Sequence, residues 1–348
     1  MIKTDIRQLS EAELDQWFTD RGHNLFRARQ VRKWLWEKQC TEIEEMTDLP
    51  KNLRDELNSQ FQIPSLVTDF QQQSNDGTIK SRFLLQDGNK IESVLIPVTT
   101  DNRYTLCVST QVGCSLTCKF CATGRMGRIR NLNFTEIFDQ VAIVNRQSQE
   151  IFGHRLTNIV YMGMGEPLLN YANTLQSIHK ITSPQGMGMS PSRITISTAG
   201  IAKMIRKLAD DGSKTNLALS LHAANDKKRN DIMPINDQNN IAVLMDALEY
   251  YYNKTRNRIT YEYLALKDFN DSKLDAIELS QLTKRFPVRV NIIEYNPVSG
   301  IAFERTEESK LHIFLRTLVD HGVNVTLRRS RGKDIDAACG QLANKNIE

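Results

Sequence analysis

From Tyr104 onward the chain repeats one rhythm, a short extended run followed by a helical stretch, and that rhythm restricts the fold more than any other feature. The extended runs fall at 104–110, 158–163, 193–198, 216–221, 259–264, 289–294 and 323–327. Helical patterns fill most of the gaps. One contains Ile137, Val141 and Val144, one runs from about Asp226 to Tyr252, and one contains Leu311, Phe314, Leu315 and Leu318. Strands alternating with helices predict a parallel sheet. About six such units predict an α/β fold in the form of a partial parallel β/α barrel.

The unusual residues sit where those strands end. GMGEP follows NIVYM, STAG follows RITI, HAAND follows LALSL, Asn296-Pro297 follows NIIEY, and RRSRG follows NVTL. In barrels of this class the carboxyl ends of the strands carry the active site, so the repeated coincidence predicts one functional face. Ahead of the barrel, residues 1–62 read as a small helical accessory domain. Leu14, Trp17 and Phe18, then Phe26, Val31, Trp34 and Leu35, recur at helical spacing, and Leu53 and Leu57 continue the pattern after Pro50. Residues 63–100 read as a short β-rich connector, because Phe83-Leu84-Leu85 and Val94-Leu95-Ile96 flank Asp87-Gly88-Asn89, a hairpin signal. Residues 101–348 then form the barrel and a C-terminal segment.

The segment GCSLTCKFCATG sets Cys114, Cys118 and Cys121 four and then three residues apart. A secreted disulfide scaffold would be shorter and denser in cysteine than this chain. One compact loop can wrap three thiolates around a metal centre. Structural zinc is usually closed by four ligands. The loop offers three and no His, although Cys107 or Cys339 could close the site, so a zinc-stabilised RNA-binding protein without catalysis remains a reading. Three thiolates on a four-iron cluster leave one iron open. That iron can chelate the amino and carboxylate groups of S-adenosylmethionine (SAM).

The net charge of +4 says little by itself, but its distribution says more. Between Gln111 and Thr135 there is no acidic residue, while Lys119, Arg125, Arg128 and Arg130 lie there. Arg328, Arg329, Arg331 and Lys333 cluster shortly before Cys339, and Arg27, Arg29, Arg32 and Lys33 form a basic strip in the helical region. Basic clusters beside cysteines point to an anionic ligand. No apolar run approaches the ~18 residues of a membrane helix. The opening MIKTDIRQLS lacks the apolar core of a signal peptide, so the chain is expected in the cytoplasm.

At the Cys-x3-Cys-x2-Cys motif, with Phe120 just before the third cysteine, the chain resembles the radical-SAM superfamily. From about Phe26 to Leu342 it resembles the RlmN family of radical-SAM RNA methyltransferases, through LCVSTQVGC, CKFCATG, GMGEPLLN, SLHA, MPIN and RGKDIDAACGQL. The resemblance implies a [4Fe-4S] cluster on Cys114, Cys118 and Cys121. It implies two SAM molecules per turnover, held by Gly165, Glu166, Ser197, Ser220, Leu221, His222 and Asn296. It also implies methylation of carbon 2 of adenosine in 23S rRNA near the peptidyl-transferase centre, and of the adenosine 3′ of the anticodon in tRNA. In that scheme Cys339 carries the methyl group to the base, Glu92 takes the proton from carbon 2, and Cys107 attacks the sulfur of Cys339 to release the RNA, leaving a disulfide. A methyl carrier is needed because carbon 2 lies between two ring nitrogens and will not act as a nucleophile. The scheme further implies an external electron donor, and a monomer is expected. Arg328, Arg329, Arg331 and Lys333 could grip RNA phosphate, and the helical region is a plausible RNA-binding domain. The sister family Cfr, which methylates carbon 8, shares most of these features; it tends to have Ala where this chain has Pro167. Cys40 matches no role and reads as structural.

Overall fold

The computed structural model describes residues 3–344. Strand β1 (Thr4–Asp5) is followed by helices α1 (Glu11–Asp20), α2 (Leu25–Trp36) and α3 (Lys51–Gln60), and by β2 (Phe61–Gln62). Helix α1 starts where it does because Ser10 and Glu13 close a reciprocal cap: the Ser10 hydroxyl accepts from the Glu13 amide, and the Glu13 carboxylate accepts from the Ser10 amide. The ends of this region meet as a short parallel pair, β1 with β2. Pure helical periodicity does not reveal that pair, since two-residue strands carry no alternation.

Strands β3 (Val67–Gln73), β4 (Ile79–Leu84) and β5 (Lys90–Val98) form an antiparallel run. The β4–β5 turn falls at Asp87-Gly88-Asn89, with Gly88 at φ +81°. β5 pairs antiparallel with β6 (Arg103–Cys107), so the run extends the main sheet. A small hairpin follows, β7 (Gln111–Gly113) and β8 (Arg128–Asn131), with α4 (Ala122–Arg125) between its arms. The chain then alternates: α5 (Phe134–Phe152), β9 (Asn158–Tyr161), α6 (Tyr171–Thr182), β10 (Ile194–Thr198), α7 (Ala202–Asp210), β11 (Asn216–Ser220), α8 (Asp226–Ile232), α9 (Ile241–Thr255), β12 (Ile259–Ala265), α10 (Lys273–Leu282), β13 (Val288–Glu294), α11 (Glu308–Asp320) and β14 (Val325–Arg328). The sheet order is β14-β13-β12-β11-β10-β9-β6-β5-β4-β3. From β6 through β14 every neighbour is parallel. The barrel is thus partial, since β14 and β3 are free edges. The single helix read over Asp226–Tyr252 is in fact two, α8 and α9, broken at Pro234 by a short 3-10 turn.

Register decides which side chains share a face, because paired residues point the same way and successive residues alternate. Cys107 pairs with Val94 and Val160; Thr195 pairs with Val160 and Asn216; Ser197 pairs with Ala218; Ser220 pairs with Glu262, and Glu262 with Asn291. Two-residue steps add Glu92 on β5 and Arg328 on β14 to that face. The opposite face carries Ile159, Tyr161, Ile196, Leu217, Leu219, Tyr261 and Ile292, all buried in the main core.

The N-terminal helices share this core with the barrel. Trp36 of α2 packs on Phe134 and Phe138 of α5, with ring centroids 5.9 and 5.2 Å away. Arg7 is buried at the same junction. It donates to Asp139 of α5 at 2.6 Å, to Asp5 at 3.2 Å, and to the Pro64 carbonyl. Among the described residues no helix is long and apolar enough to cross a membrane. Replacing Arg7 by Ala strands Asp139 in the interior, and loss of one partner of a buried pair costs roughly 3–5 kcal/mol. Urea denaturation should show a loss of that size for Arg7→Ala and a smaller one for the Arg7→Ala, Asp139→Ala double variant.

Candidate active site

The three clustered cysteines lie between β7 and α4, each half-exposed. The loop is held from outside. The Lys119 amide donates to the Ile232 carbonyl of α8 at 3.0 Å, and the Cys114 amide to Gly127 at 3.1 Å. Around it Phe120, Ala199, Ile232, Met233, Leu264, Leu266, Ile293 and Tyr295 form a separate apolar cluster in which Cys118 and Cys121 also pack. Burial pushes the Cys114 thiol up to about 11 and Cys118 higher still, with the neighbouring cysteines and Glu166 adding to the effect. A metal would have to displace those protons. Structural zinc is usually closed by four ligands, whereas three thiolates on one loop leave one iron of a four-iron cluster open, and apolar residues pack around Cys118 and Cys121. This donor set therefore fits an iron–sulfur cluster.

GMGEP follows β9. Gly165 has φ +95°, and a Cβ there would lie 2.4 Å from Cβ of Gln111. Gly163 is as constrained, with 2.7 Å to the Val108 carbonyl oxygen. These glycines let the β9 loop lie against the segment leading into the cysteine loop. Glu166 is buried there. Its carboxylate accepts from the Ala199 amide at 2.7 Å and the Leu168 amide at 3.0 Å. Burial still pushes its carboxyl up to about 7. An ammonium group brought against it would favour the ionised form.

Ser197 is buried on β10, and Ser220 ends β11. The Leu221 and His222 amides both donate to the Glu262 carbonyl, at 3.0 and 3.2 Å. His222 adopts φ +56°, a left-handed backbone held in place by Asn270, whose amide donates to the His222 carbonyl at 2.6 Å. Its Nδ1 accepts from the Leu264 amide at 3.1 Å, so the proton of the neutral ring sits on Nε2. Burial, aided by the charge of Arg229, lowers its pKa to about 3. The ring stands edge-on to Phe120 at 4.8 Å. Asn296 donates to Ser330 at 2.6 Å, joining the loops after β13 and β14.

The C-terminal segment lies across this face. The Ala122 amide donates to the Gly340 carbonyl at 2.7 Å, Thr123 to the Leu342 carbonyl at 2.6 Å, and Gln341 to the Pro297 carbonyl at 3.1 Å. Glu92 completes the docking, accepting from the amides of Ala343 at 2.9 Å and Asn344 at 3.2 Å. Lys80 stands 3.8 Å from its other oxygen. Cys339 is exposed, with neighbouring groups packed around its side. Burial raises its pKa, with Glu262 and Cys121 adding and Arg328 opposing. Burial also pushes Cys107 far up, and Cys339 is the second cause. All six cysteines are free thiols, and Cys40 is a buried one.

The basic cluster is divided. Arg329 and Lys333 are tied to the buried carboxylate of Glu294, at 2.7 and 3.0 Å, as is Arg305 at 2.6 Å, and Arg329 also reaches Glu308. Arg328 stands near Cys339, and Arg331 forms no ion pair among the described residues. In the helical region Arg32 pairs with Asp15, while Arg27 and Arg29 both stand over the exposed Phe26 ring at 5.9 Å. Sequence reasoning missed two residues here. Glu262 sits on the site face with Oε1 bonded to Thr260 and Asn291, while buried Oε2 has no partner. Arg229, between SLHA and MPIN, is wholly buried. Neither belongs to a pattern that marks it; one reads as a strand glutamate and the other as a solvated helix position.

Residues 4–63 match the family described as the ribosomal RNA large subunit methyltransferase N-terminal domain, and residues 108–279 match the radical SAM superfamily. A probable dual-specificity RNA methyltransferase RlmN of Christiangramia forsetii is 50% identical over 344 residues, covering 99% of this chain and 97% of that one. The dual-specificity RNA methyltransferase RlmN 2 of Myxococcus xanthus is 44% identical over 346 residues, covering 98% and 91%. The crystal structure of a radical SAM methyltransferase from Sphaerobacter thermophilus superposes with a TM-score of 0.91 at 39% identity, covering 97% of this chain and 99% of that one.

Gly165→Ala should cost about 1–3 kcal/mol, since its backbone angle is strained for any other residue and Gln111 blocks the added carbon. The loss should appear in thermal melting without any ligand present, which separates its packing role from contact with a cofactor.

Proposed function

Because the chain belongs to the RlmN family of radical-SAM RNA methyltransferases, we propose that it methylates carbon 2 of adenosine in 23S rRNA and tRNA, with Cys339 as methyl carrier. As a member of that family it is a SAM-dependent methyltransferase that uses a [4Fe-4S] cluster. The observation that carries the finer reading is the meeting of Cys107, Cys339 and Glu92 at one end of the sheet. Cys339 is close enough to Cys107 to raise the pKa of that thiol, and Glu92 binds the segment that bears Cys339.

Bound together, the cluster and SAM supply a methyl group and, after reductive cleavage of a second SAM, a 5′-deoxyadenosyl radical. Cys114, Cys118 and Cys121 hold the cluster. Gly165, Glu166, Ser197, Ser220, Leu221, His222 and Asn296 hold SAM, with the Glu166 carboxylate suited to the ammonium group. Cys339 would take the methyl group on sulfur, lose a hydrogen atom from it to the deoxyadenosyl radical, and bond through that carbon to carbon 2. Glu92 would accept the carbon-2 proton, while the unpaired electron left on the ring passes to an electron acceptor, which restores the aromatic ring. Cys107 would attack the sulfur of Cys339; the carbon–sulfur bond breaks with its electron pair going to carbon, a proton completes the methyl group, and the disulfide left behind must be reduced before the next turnover.

Arg328 and Arg331 remain available for RNA phosphate, whereas Glu294 already holds Arg329 and Lys333. The exposed Phe26 between two guanidiniums offers a stacking platform of the kind single-stranded RNA uses. Pro167 favours carbon 2 over the carbon-8 chemistry of the sister family. The enzyme acts as a cytoplasmic monomer with an external electron donor.

Cys118→Ala should abolish the brown colour and iron content of the anaerobically reconstituted protein; stoichiometric zinc in its place would overturn the mechanism. Mass spectrometry of RNA treated with enzyme, SAM and reductant should show 2-methyladenosine, and 8-methyladenosine alone would refute the assignment. Cys107→Ala should form the RNA adduct yet release product at least ~100-fold more slowly, since thiolate exchange depends on the attacking sulfur, and a denaturing gel should trap protein-linked RNA.

A further inference from the structure

Arg229 is 0% exposed, and among the described residues its guanidinium forms no ion pair with a carboxylate. It donates to the carbonyls of Ala199 at 2.6 Å, Leu221 at 3.1 Å and Ser220 at 3.2 Å, and to the side-chain oxygen of Asn236 at 2.6 Å. The nearby Asp226 is occupied elsewhere, accepting from Asn236 and from the Ile241 amide. A buried cation normally has an anionic partner, because leaving water is costly for a lone charge. Neutral carbonyls orient the guanidinium without cancelling its charge.

The location identifies what the charge faces. Arg229 lies on α8, whose last carbonyl holds the cysteine loop through Lys119, and Ile232 and Met233 of the same turn pack with Phe120, Cys118 and Cys121. Within this wall Arg229 and Cys118 stand near one another. Resting on the cluster site described above, we infer that Arg229 is a positioning residue that acts as the buried counter-cation of the iron–sulfur cluster while tying together the ends of β10 and β11. Three thiolates on a cluster with a 2+ core leave a net negative charge, and reduction adds another. A fixed cation favours the more negative state, so Arg229 raises the reduction potential. Its other ties set the Ser197 and Ser220 strand ends in register with that charge.

The test is a potentiometric titration of the full chain after anaerobic reconstitution, without SAM and read by electron paramagnetic resonance. Arg229→Gln keeps a donor for the carbonyls and loses the charge. It should make reduction at least tenfold less favourable, a shift of about 59 mV to more negative potential for one electron. Arg229→Lys, which keeps the charge, should stay near wild type. An unchanged potential in Arg229→Gln, or equal shifts in both variants, overturns the inference. If Arg229→Gln does not take up iron, Asn236→Asp replaces it. That variant leaves the guanidinium in place and sets a carboxylate against it, so the same downward shift is expected and no shift overturns the inference. Wild type that takes up no iron through Cys114, Cys118 and Cys121 would overturn the site assignment itself, and with it this role.

Discussion

Everything at the active end depends on the register of the parallel ladder. A strand can offer only every second side chain to one face, and a slip of one residue would send the whole set to the other. Cys107, Ser197, Ser220, Glu262, Asn291 and Arg328 come from six strands and share a face because six interstrand registers agree. The aliphatic and tyrosine residues on the opposite face fix that agreement, since their burial against the helices leaves no alternative register of comparable energy. The polar face is therefore positioned by the apolar one.

A second constraint acts from outside the sheet. The segment around Cys339 has no regular structure of its own after β14 except one short turn. It is placed by hydrogen bonds to elements far apart in sequence: the cysteine loop, the loop after β13, and Glu92 on β5. Each contact is modest, of the order of 1 kcal/mol. Together they hold the sulfur within reach of both the cluster loop and Cys107. In the role proposed for Cys339 the sulfur approaches two partners in turn, and a segment fixed by several weak bonds can shift without unfolding the barrel.

Much of this was legible in the sequence, for physical reasons. Each of the seven parallel strands declares itself through a short apolar or β-branched run, and the cysteine loop through spacing alone. GMGEP, STAG and HAAND fall at strand ends as expected. What was hidden depends on three-dimensional neighbours. Arg229 and Glu262 look like ordinary helix and strand positions until their burial is known. The β7–β8 hairpin is too short for alternation to show. Pro234 splits a helix whose apolar spacing runs on past it. Arg329 and Lys333 look like free cations in a basic run, but Glu294, some forty residues earlier, already holds them. The roles of Cys107, Cys339 and Glu92 came from family resemblance, because nothing in local sequence links three residues so far apart.

The continuity between the N-terminal helices and the barrel has one more consequence. Trp36, Arg7 and Asp139 fuse the two regions through a single core, so no hinge separates them. An RNA gripped at the exposed face of α2 would meet Cys339 at a fixed span, as between the jaws of a set caliper. Two unlike RNAs could then be accepted without sharing a sequence, provided each folds so that its grip point and its methylated nucleotide are separated by that span.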